Sequence, residues 1–495
     1  MRHSAQGLAG LAAAALLAAA GPAAAKTAIS IGLQQEPTVL DPTADATASI
    51  DGMLAHNVYE SLTTVSESGE ILPALAESWE VSEDGLTYTF ALTEDAAFHD
   101  GAEFDSSDVL FSFERAMAED SVNPSKGIFE PIESVEAPDA STVVITLSRP
   151  DAFFLFNLAQ GDASIVDPSD VESNATAPVG TGPYRFASWT RGDRLVLEAV
   201  EGHRDAAEGM MRRIEFRFIS EAPAAVAALL AEEIDAFPGM PAPETLQQFE
   251  ADPRYDVVVG TTEGEVILAM NNGREPFTDI RVRRAVSHAI DRREIIDGAY
   301  YGYGEPIGSF FPPHHQAYVD LTSVHPHDPD GARALLEEAG ALGAEVTLSL
   351  PPFPYARRSG EIIQQQLEAA GFEAKIENVE WGYWIGEVYG ENNYDMTIIA
   401  HTSPNDLGNF ARGPDYYYGY DNPEFSELWE RIRTEPDPER LTELLQEGQR
   451  FIASEAVHGF LFQLPKLGVY RTELSGYWAS SPVLFSPLKD LRWEG

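Results

Sequence analysis

From Ile29 onward, strand-type alternation and helix-type periodicity take turns along the chain, with no Pro-, Gly- or Ser-rich linker dividing them. "AISIGL" reads as a strand and "IDGMLAHNVYESLTTV" as a helix, with Met53, Leu54, Val58 and Leu62 on one face. "LTYTFALT" and "TVVITLS" alternate as half-buried strands do, and "IEFRFI" is followed by a helix in "AAVAALLAEEIDAF" that leads to a short strand. Such interleaving predicts an α/β protein with lobes that the chain crosses more than once.

The second half repeats the pattern. Asp279 is placed to cap one helix through "IRVRRAVSHAIDRREIIDGAY", and Asp330 to begin another in "GARALLEEAG". "EVTLSL" and "RRSGEIIQQQLEAAGFEAKIENVEW" predict strand, helix and strand. "NNYDMTIIAHTSPNDLGNFARGPDYYYGYDNPEF" predicts a strand entering a long aromatic loop. The last helices come from "PEFSELWERIR" and "PERLTELLQEGQRFIASEA".

The N-terminus has a different character. Arg2 and His3 precede the apolar run "LAGLAAAALLAAAG", and "PAAA" supplies the small residues a signal peptidase accepts, so residues 1–25 are expected to be a signal peptide cleaved after Ala25. The run is too short for a permanent membrane span. With no cysteine in the chain, a lipid-anchored terminus, disulfides and thiolate metal sites are all excluded. The product is expected to be exported to the periplasm and not to be a lipoprotein. The 80 acidic and 32 basic residues of the full chain give a net charge of −48, which opposes binding to nucleic acid or anionic lipid.

Several clusters invite a chemical reading. "FHDGAEFDSSDVLFSFERAM" gathers His99 with five acids, but Asp100-Gly101 fits a turn. Asp105 and Asp108 fit a helix cap and its third position, before Val109, Leu110, Phe113 and Met117 on one face. "PHDPDGARALLE" has Asp328, Asp330, Gly331 and Glu337 at calcium-loop spacing, yet Pro326 stands where the first carboxylate belongs. His314, His315, His325 and His327 are read as loop residues, so no metal site is expected. No G-x-S-x-G elbow or H-E-x-x-H helix is present, and "VGTGPYRF" lacks the lysine of a phosphate loop.

The aromatic content is the unusual feature. "EWGYWIGEVYG" carries Trp381, Tyr383, Trp384 and Tyr389, and "PDYYYGY" carries Tyr416, Tyr417, Tyr418 and Tyr420. Trp384 and Val388 share helical spacing and are expected in a core. Consecutive tyrosines beside Gly and Pro are expected to divide between core and a ligand cleft.

Taken in order, "EDGLTYTFALTEDAAFHDGAEFDSSDVLFSFERA", "GTGPYRFASWTRGDRLVLEA" and "MNNGREPFTDIRVRRAVSHAIDRREIIDGAYYGYGEPIGSFFPP" resemble one family, the extracytoplasmic solute-binding proteins of family 5. That family includes the oligopeptide, dipeptide and nickel binders of ABC importers. "ARALLEEAG" and "IIQQQLEAAGFEAKIENVEW" extend the resemblance, which runs from Ile29 to the C-terminus.

The resemblance implies a three-lobe α/β periplasmic binding protein, type II and cluster C-like, with the ligand in a cleft between the two main lobes. Lobe I would comprise 26–70, 180–270 and 480–495, lobe II 71–179, and lobe III 271–479. It implies a noncatalytic, monomeric, cofactor-free receptor that closes by a hinge and delivers its solute to a membrane permease. A peptide or amino-acid-derived ligand is the first expectation and a sugar or opine-like compound the second. Nickel or a metal chelate ranks third, and a secreted hydrolase or periplasmic chaperone lies outside the class.

In the peptide binders, an acid in a G-W-x-x-D-type loop pairs with the ligand's amino terminus. Here "AHTSPNDLGNF" puts His401 at the tryptophan and Ser403 or Pro404 at the acid, leaving Asp406 as a substitute with Asn405 beside it. Trp381 matches the "EW" of the oligopeptide binders and is grouped with Tyr383. Arg357 and Arg358 lie near where dipeptide binders hold a carboxylate, which an arginine fork suits. Tyr416 and Tyr417 complete the expected ligand contacts.

Overall fold

The computed structural model describes residues 26–45, 47–402 and 406–494. The predicted signal peptide lies outside them. Among the described residues the largest sheet has eleven strands. Its central pair, Tyr255–Met270 and His458–Arg471, is antiparallel. On one side the sheet continues through Met396–His401, Glu345–Leu350 and Glu373–Asn378. On the other it continues through Ala236–Phe237, Ala28–Leu33, Arg213–Phe218, Arg194–Ala199 and Tyr184–Thr190, and the short Glu305–Pro306 pairs with His458–Arg471 off this path.

The central pair feeds more than one core because alternate side chains leave a strand on opposite faces. Val266, Leu268 and Met270 pack with the helices Ile280–Ala289 and Pro354–Ala370. Ile267 and Ala269 point the other way, into an aromatic core with Phe410, Tyr417, Tyr418 and Phe425. Farther along, Leu467 and Val469 join a third group around Leu229, Phe237 and Phe249. Between the first two groups and the third, the ladder is interrupted: Thr261 pairs with Pro465 and Glu265 with Gln463, so two surplus residues are looped out.

A separate four-stranded antiparallel sheet, Ala76–Val81, Thr87–Leu92, Thr142–Leu147 and Ile132–Asp139, carries the helix Ser106–Met117. That helix has the expected capping box: Asp105 accepts from the Ser107 amide at 2.7 Å, and the Asp105 amide donates to Asp108 at 2.9 Å. Val109 and Phe113 are buried as expected, but Met117 is exposed and Ala116 takes the inward position.

The junction of this sheet with the main one explains two of the motifs. His99 Nε2 lies 2.9 Å from the Gly182 carbonyl, while its Nδ1 accepts from the Gly180 amide at 3.4 Å. The Gly182 and Tyr184 amides in turn donate to the carbonyls of Val58 and Asn57, both at 2.9 Å. A Cβ on Gly180 would lie 2.1 Å from the Val58 carbonyl oxygen, and one on Gly182 2.5 Å from that of Asn57. The glycines are required for backbone-to-backbone approach, and His99 is a bracket between segments.

Other expectations change. The helix read over 50–65 is confined to Ala48–Leu54, after which the chain turns at His56 with φ of 56° and enters the short strand Thr63–Val65. The helix begun by Asp279 ends at Ala289, and Asp291 caps a second, Arg292–Tyr300, accepting from the Arg293 and Glu294 amides. Asp328, not Asp330, caps Pro329–Ala339 through the Gly331 amide. That role accounts for the calcium-loop spacing without a metal. No described helix is long and apolar enough to cross a membrane.

Candidate ligand-binding site

A cavity of about 310 Å³ opens where three parts of the chain meet. The turn after Thr63–Val65 brings Ser68, Gly69 and Ile71, and the segment following the four-stranded sheet brings Ala152, Phe153 and Phe156. The looped-out part of the central strand brings Glu263, the paired residue that follows it brings Glu265, and the far side is built from Phe310, Phe311, His314, Asp406 and Leu445. The volume is at the lower end of those that hold small ligands.

Two contacts hold the walls together. The Ala152 amide donates to the Arg433 carbonyl at 2.7 Å, and Phe153 stacks on Trp429 with ring centres 5.8 Å apart and planes 14° apart. Trp429 also presses on Gly408, where a Cβ would be 2.5 Å from its ring, so it supports the loop that presents Asp406.

Asp406 is fixed from behind. Its Oδ2 is 3.2 Å from His401 Nδ1, and its Oδ1 accepts from Asn409 at 3.0 Å. His401 Nε2 in turn lies 2.7 Å from the Tyr417 hydroxyl and 3.1 Å from that of Tyr418. A carboxylate, an imidazole and hydroxyls in series resemble the parts of a nucleophilic relay, but both hydroxyls are buried in the aromatic core. The series therefore orients Asp406 toward the cavity and presents no nucleophile there. Burial pushes the Tyr417 and Tyr418 hydroxyls well above their ordinary pKa, which keeps them neutral hydrogen-bonding groups.

The other predicted ligand contacts fall elsewhere. Tyr416 and Tyr417 are core residues, as are Tyr418 and Tyr420, so the expected division of the tyrosines between core and cleft does not occur. The loop folds back so that rings pack edge to face, Tyr416 against Tyr418 at 4.7 Å, and all four fit one core. Trp384 and Val388 are buried as their spacing predicts. Trp381 stacks on Trp384 at 5.0 Å but leaves 42% of its surface exposed, and Tyr383 leaves 44%; neither lines this cavity. Arg357 donates to the Val379 carbonyl at 3.4 Å, and Arg358 pairs with Glu244 at 3.5 Å, so both arginines are engaged away from it. Asn405 lies outside the described residues.

Sequence reasoning missed Glu263, Glu265 and the role of His314. Glu265 stands opposite His401 on one neighbouring strand and Gln463 on the other, on the face that farther along carries Ile267 and Ala269. It is 4% exposed, and its Oε2 has no hydrogen-bond partner. Burial, then the neighbouring Glu263 and Asp406, raise its pKa well above the carboxylate range. Glu263 Oε1 accepts from His314 Nε2 at 2.7 Å, so His314 is not the unengaged loop residue expected. The available signal was "EGEVILAM": two acids leading directly into an apolar strand.

Elsewhere, carboxylate oxygens of Asp100, Asp167 and Asp170 lie within 4.8 Å of one another. His99, bound to Gly180 and Gly182, takes no part.

A receptor built on two strands that pass between cores, with its cavity at the passage, belongs to the class of solute-binding proteins. The comparisons specify the family: residues 70–447 match the model for bacterial extracellular solute-binding proteins, family 5 (middle region), and the chain belongs to that family. It is 28% identical to the di/tripeptide-binding protein 1 of Pseudomonas aeruginosa over 94% of this chain and 95% of that one. It is also 28% identical, with the same coverage, to the glutathione-binding protein GsiB of Salmonella paratyphi A. Among solved structures, the ABC transporter-associated periplasmic binding protein DppA of Helicobacter pylori, in complex with the peptide STSA, superposes with a TM-score of 0.82. There the identity is 25%, covering 95% of this chain and 99% of that one.

Proposed function

We propose that the protein is the periplasmic receptor of an ABC importer and captures a short peptide or amino-acid derivative through its free amino group. Asp406 carries this reading: a carboxyl acceptor, held by His401 and Asn409, on the wall of a cavity shared by three parts of the chain. Among the described residues lining the cavity none is Lys or Arg, which disfavours an opine-like dicarboxylate. The peptide- and glutathione-binding relatives support the same class of ligand.

In this reading lobe I comprises 26–70, 180–270 and 480–495, lobe II 71–179 and lobe III 271–479, and the central strands form the hinge at Thr261–Glu265 and Gln463–Pro465. Closure brings Phe153 onto Trp429 and excludes water from the solute. The mature chain begins after Ala25, acts as a monomer, performs no chemistry on its ligand and hands it unchanged to the permease.

Isothermal titration with di- and tripeptides tests the reading. One equivalent of a peptide with a free amino terminus should bind and be recovered intact, and its N-acetylated form should bind far more weakly. Equal binding of the two forms would remove Asp406 from the ligand site.

A further inference from the structure

Asp406 satisfies one positive charge, yet the wall carries two more acids. Glu265 is the anomaly. It sits in a strand where the next five residues are fully buried and apolar, and its Oε2 meets neither donor nor cation. An unpaired buried carboxyl costs several kcal/mol in ordinary cores and is normally replaced by a hydrocarbon. Its surroundings make the cost higher. Glu263 and Asp406 are the charged neighbours that act on it, and the flanking strands contribute His401 and the neutral Gln463.

As groups able to carry positive charge, the facing wall supplies only imidazoles. His314 is occupied by Glu263, and His315, buried against Phe311, has its pKa lowered to about 4 and carries no charge near neutrality. The cavity thus holds three carboxyl groups with no lysine or arginine among its described lining residues. Phe153, Phe156, Phe310 and Phe311 close it with apolar surface, where an added cation would interact strongly with Glu265 and also meet ring faces.

We infer that Glu265, with Glu263 beside it, forms a second cation subsite, so that the receptor selects solutes bearing two positive charges: a short peptide with a free amino terminus and a lysine- or arginine-type side chain. This deepens the reading of Asp406 as the amine partner and rests on it only for the peptide part. Binding of the second cation draws Glu265 into its ionised form, so capture of a dication releases protons, whereas capture of a neutral-side-chain peptide does not.

The test is titration calorimetry of the mature protein with Ala-Ala, Lys-Ala, Glu-Ala and 1,5-diaminopentane, each in phosphate and in Tris so that proton release is read from the difference in heats. Lys-Ala should bind about tenfold or more tighter than Ala-Ala, a factor typical of one added charged hydrogen bond. It should release protons, and Glu-Ala should be the weakest. Glu265→Gln, which keeps the shape, should erase the preference for Lys-Ala over Ala-Ala and abolish the proton release. Equal affinity of Lys-Ala and Ala-Ala, or a Glu265→Gln variant that still prefers Lys-Ala, overturns the subsite. If no peptide binds but the diamine does, and needs Glu265, the subsite stands and the peptide reading falls. If none of the four binds, both fall.

Discussion

Phe153, on the cavity wall, and Trp429 stack at 5.8 Å, joining the segment after the four-stranded sheet to the helix Pro423–Arg433. An aromatic pair of this kind contributes about 0.5–1.5 kcal/mol beyond its burial. In the proposed closure the stack forms as the cleft shuts, so it contributes to ligand affinity more than to folding. Trp429→Leu is therefore expected to weaken peptide binding by about 2- to 12-fold, mainly through faster dissociation. Stopped-flow fluorescence would read this directly; an unchanged dissociation rate would mean that the two rings do not part on opening.

Asp406→Asn removes the charge but keeps the contact with His401. A hydrogen bond to a charged group contributes about 1.5–3 kcal/mol, so affinity for an unmodified dipeptide should fall by one to two orders of magnitude. The N-acetylated peptide, already deprived of its ammonium group, should be insensitive to the substitution. Equal losses for both peptides would indicate a collapsed loop instead of a lost charge pair.

His99 gives the fold a pH dependence of known sign. Burial lowers its folded pKa to about 4, with His203 and Arg185 acting in the same direction and Asp100 and the Gly182 carbonyl opposing. The unfolded chain takes up the proton near pH 6.5, so stability from this group is complete above 6.5 and is lost as the pH falls toward 4. The loss is on the order of 3–4 kcal/mol at about 1.4 kcal/mol per pKa unit. His99→Gln should melt at a lower temperature at pH 7 and show a shallower decline between pH 6.5 and 4. Asp108, raised to about 6, has the opposite sign but is common to both proteins and cancels in the comparison.

Gly180→Ala places a methyl group 2.1 Å from the Val58 carbonyl oxygen, a backbone atom that cannot rotate away. A loss of about 1–3 kcal/mol in urea unfolding is expected. Gly239→Ala, where nothing lies within 4 Å, should stay within about 0.5 kcal/mol of the parent.

Sequence patterns revealed most of the peripheral elements but not the spine. "TVVITLS" and "PEFSELWERIR" announce themselves by period and cap, because their order is local. The two longest strands carry breakers within them: Gly260 and Gly264 in one, Pro465 and Gly468 in the other. Those residues mark the interruption of the ladder and disguise the strands around it. The site was legible in Asp406 and His401, which one short loop brings together. It was illegible in Glu265 and His314, whose convergence depends on pairing between distant segments. The tyrosines misled because adjacency in sequence says little about a loop that folds back on itself.

The two surplus residues between Thr261 and Glu265 keep the parity of the strand. Side chains of the Tyr255–Met270 strand beyond the interruption face the same sides as they would in an unbroken ladder, whereas the partner strand carries one surplus residue, Leu461, between the pairs Val266–Phe462 and Ile267–Phe460. A single-residue insertion or deletion there would be different in kind: it would turn Ile267 and Ala269 toward the helices, Val266 and Leu268 toward the tyrosines, and Glu265 away from the cavity. On this strand the segment can change its length only in steps of two without exchanging the faces that follow, so the interruption of the ladder also locks the reading frame of both cores.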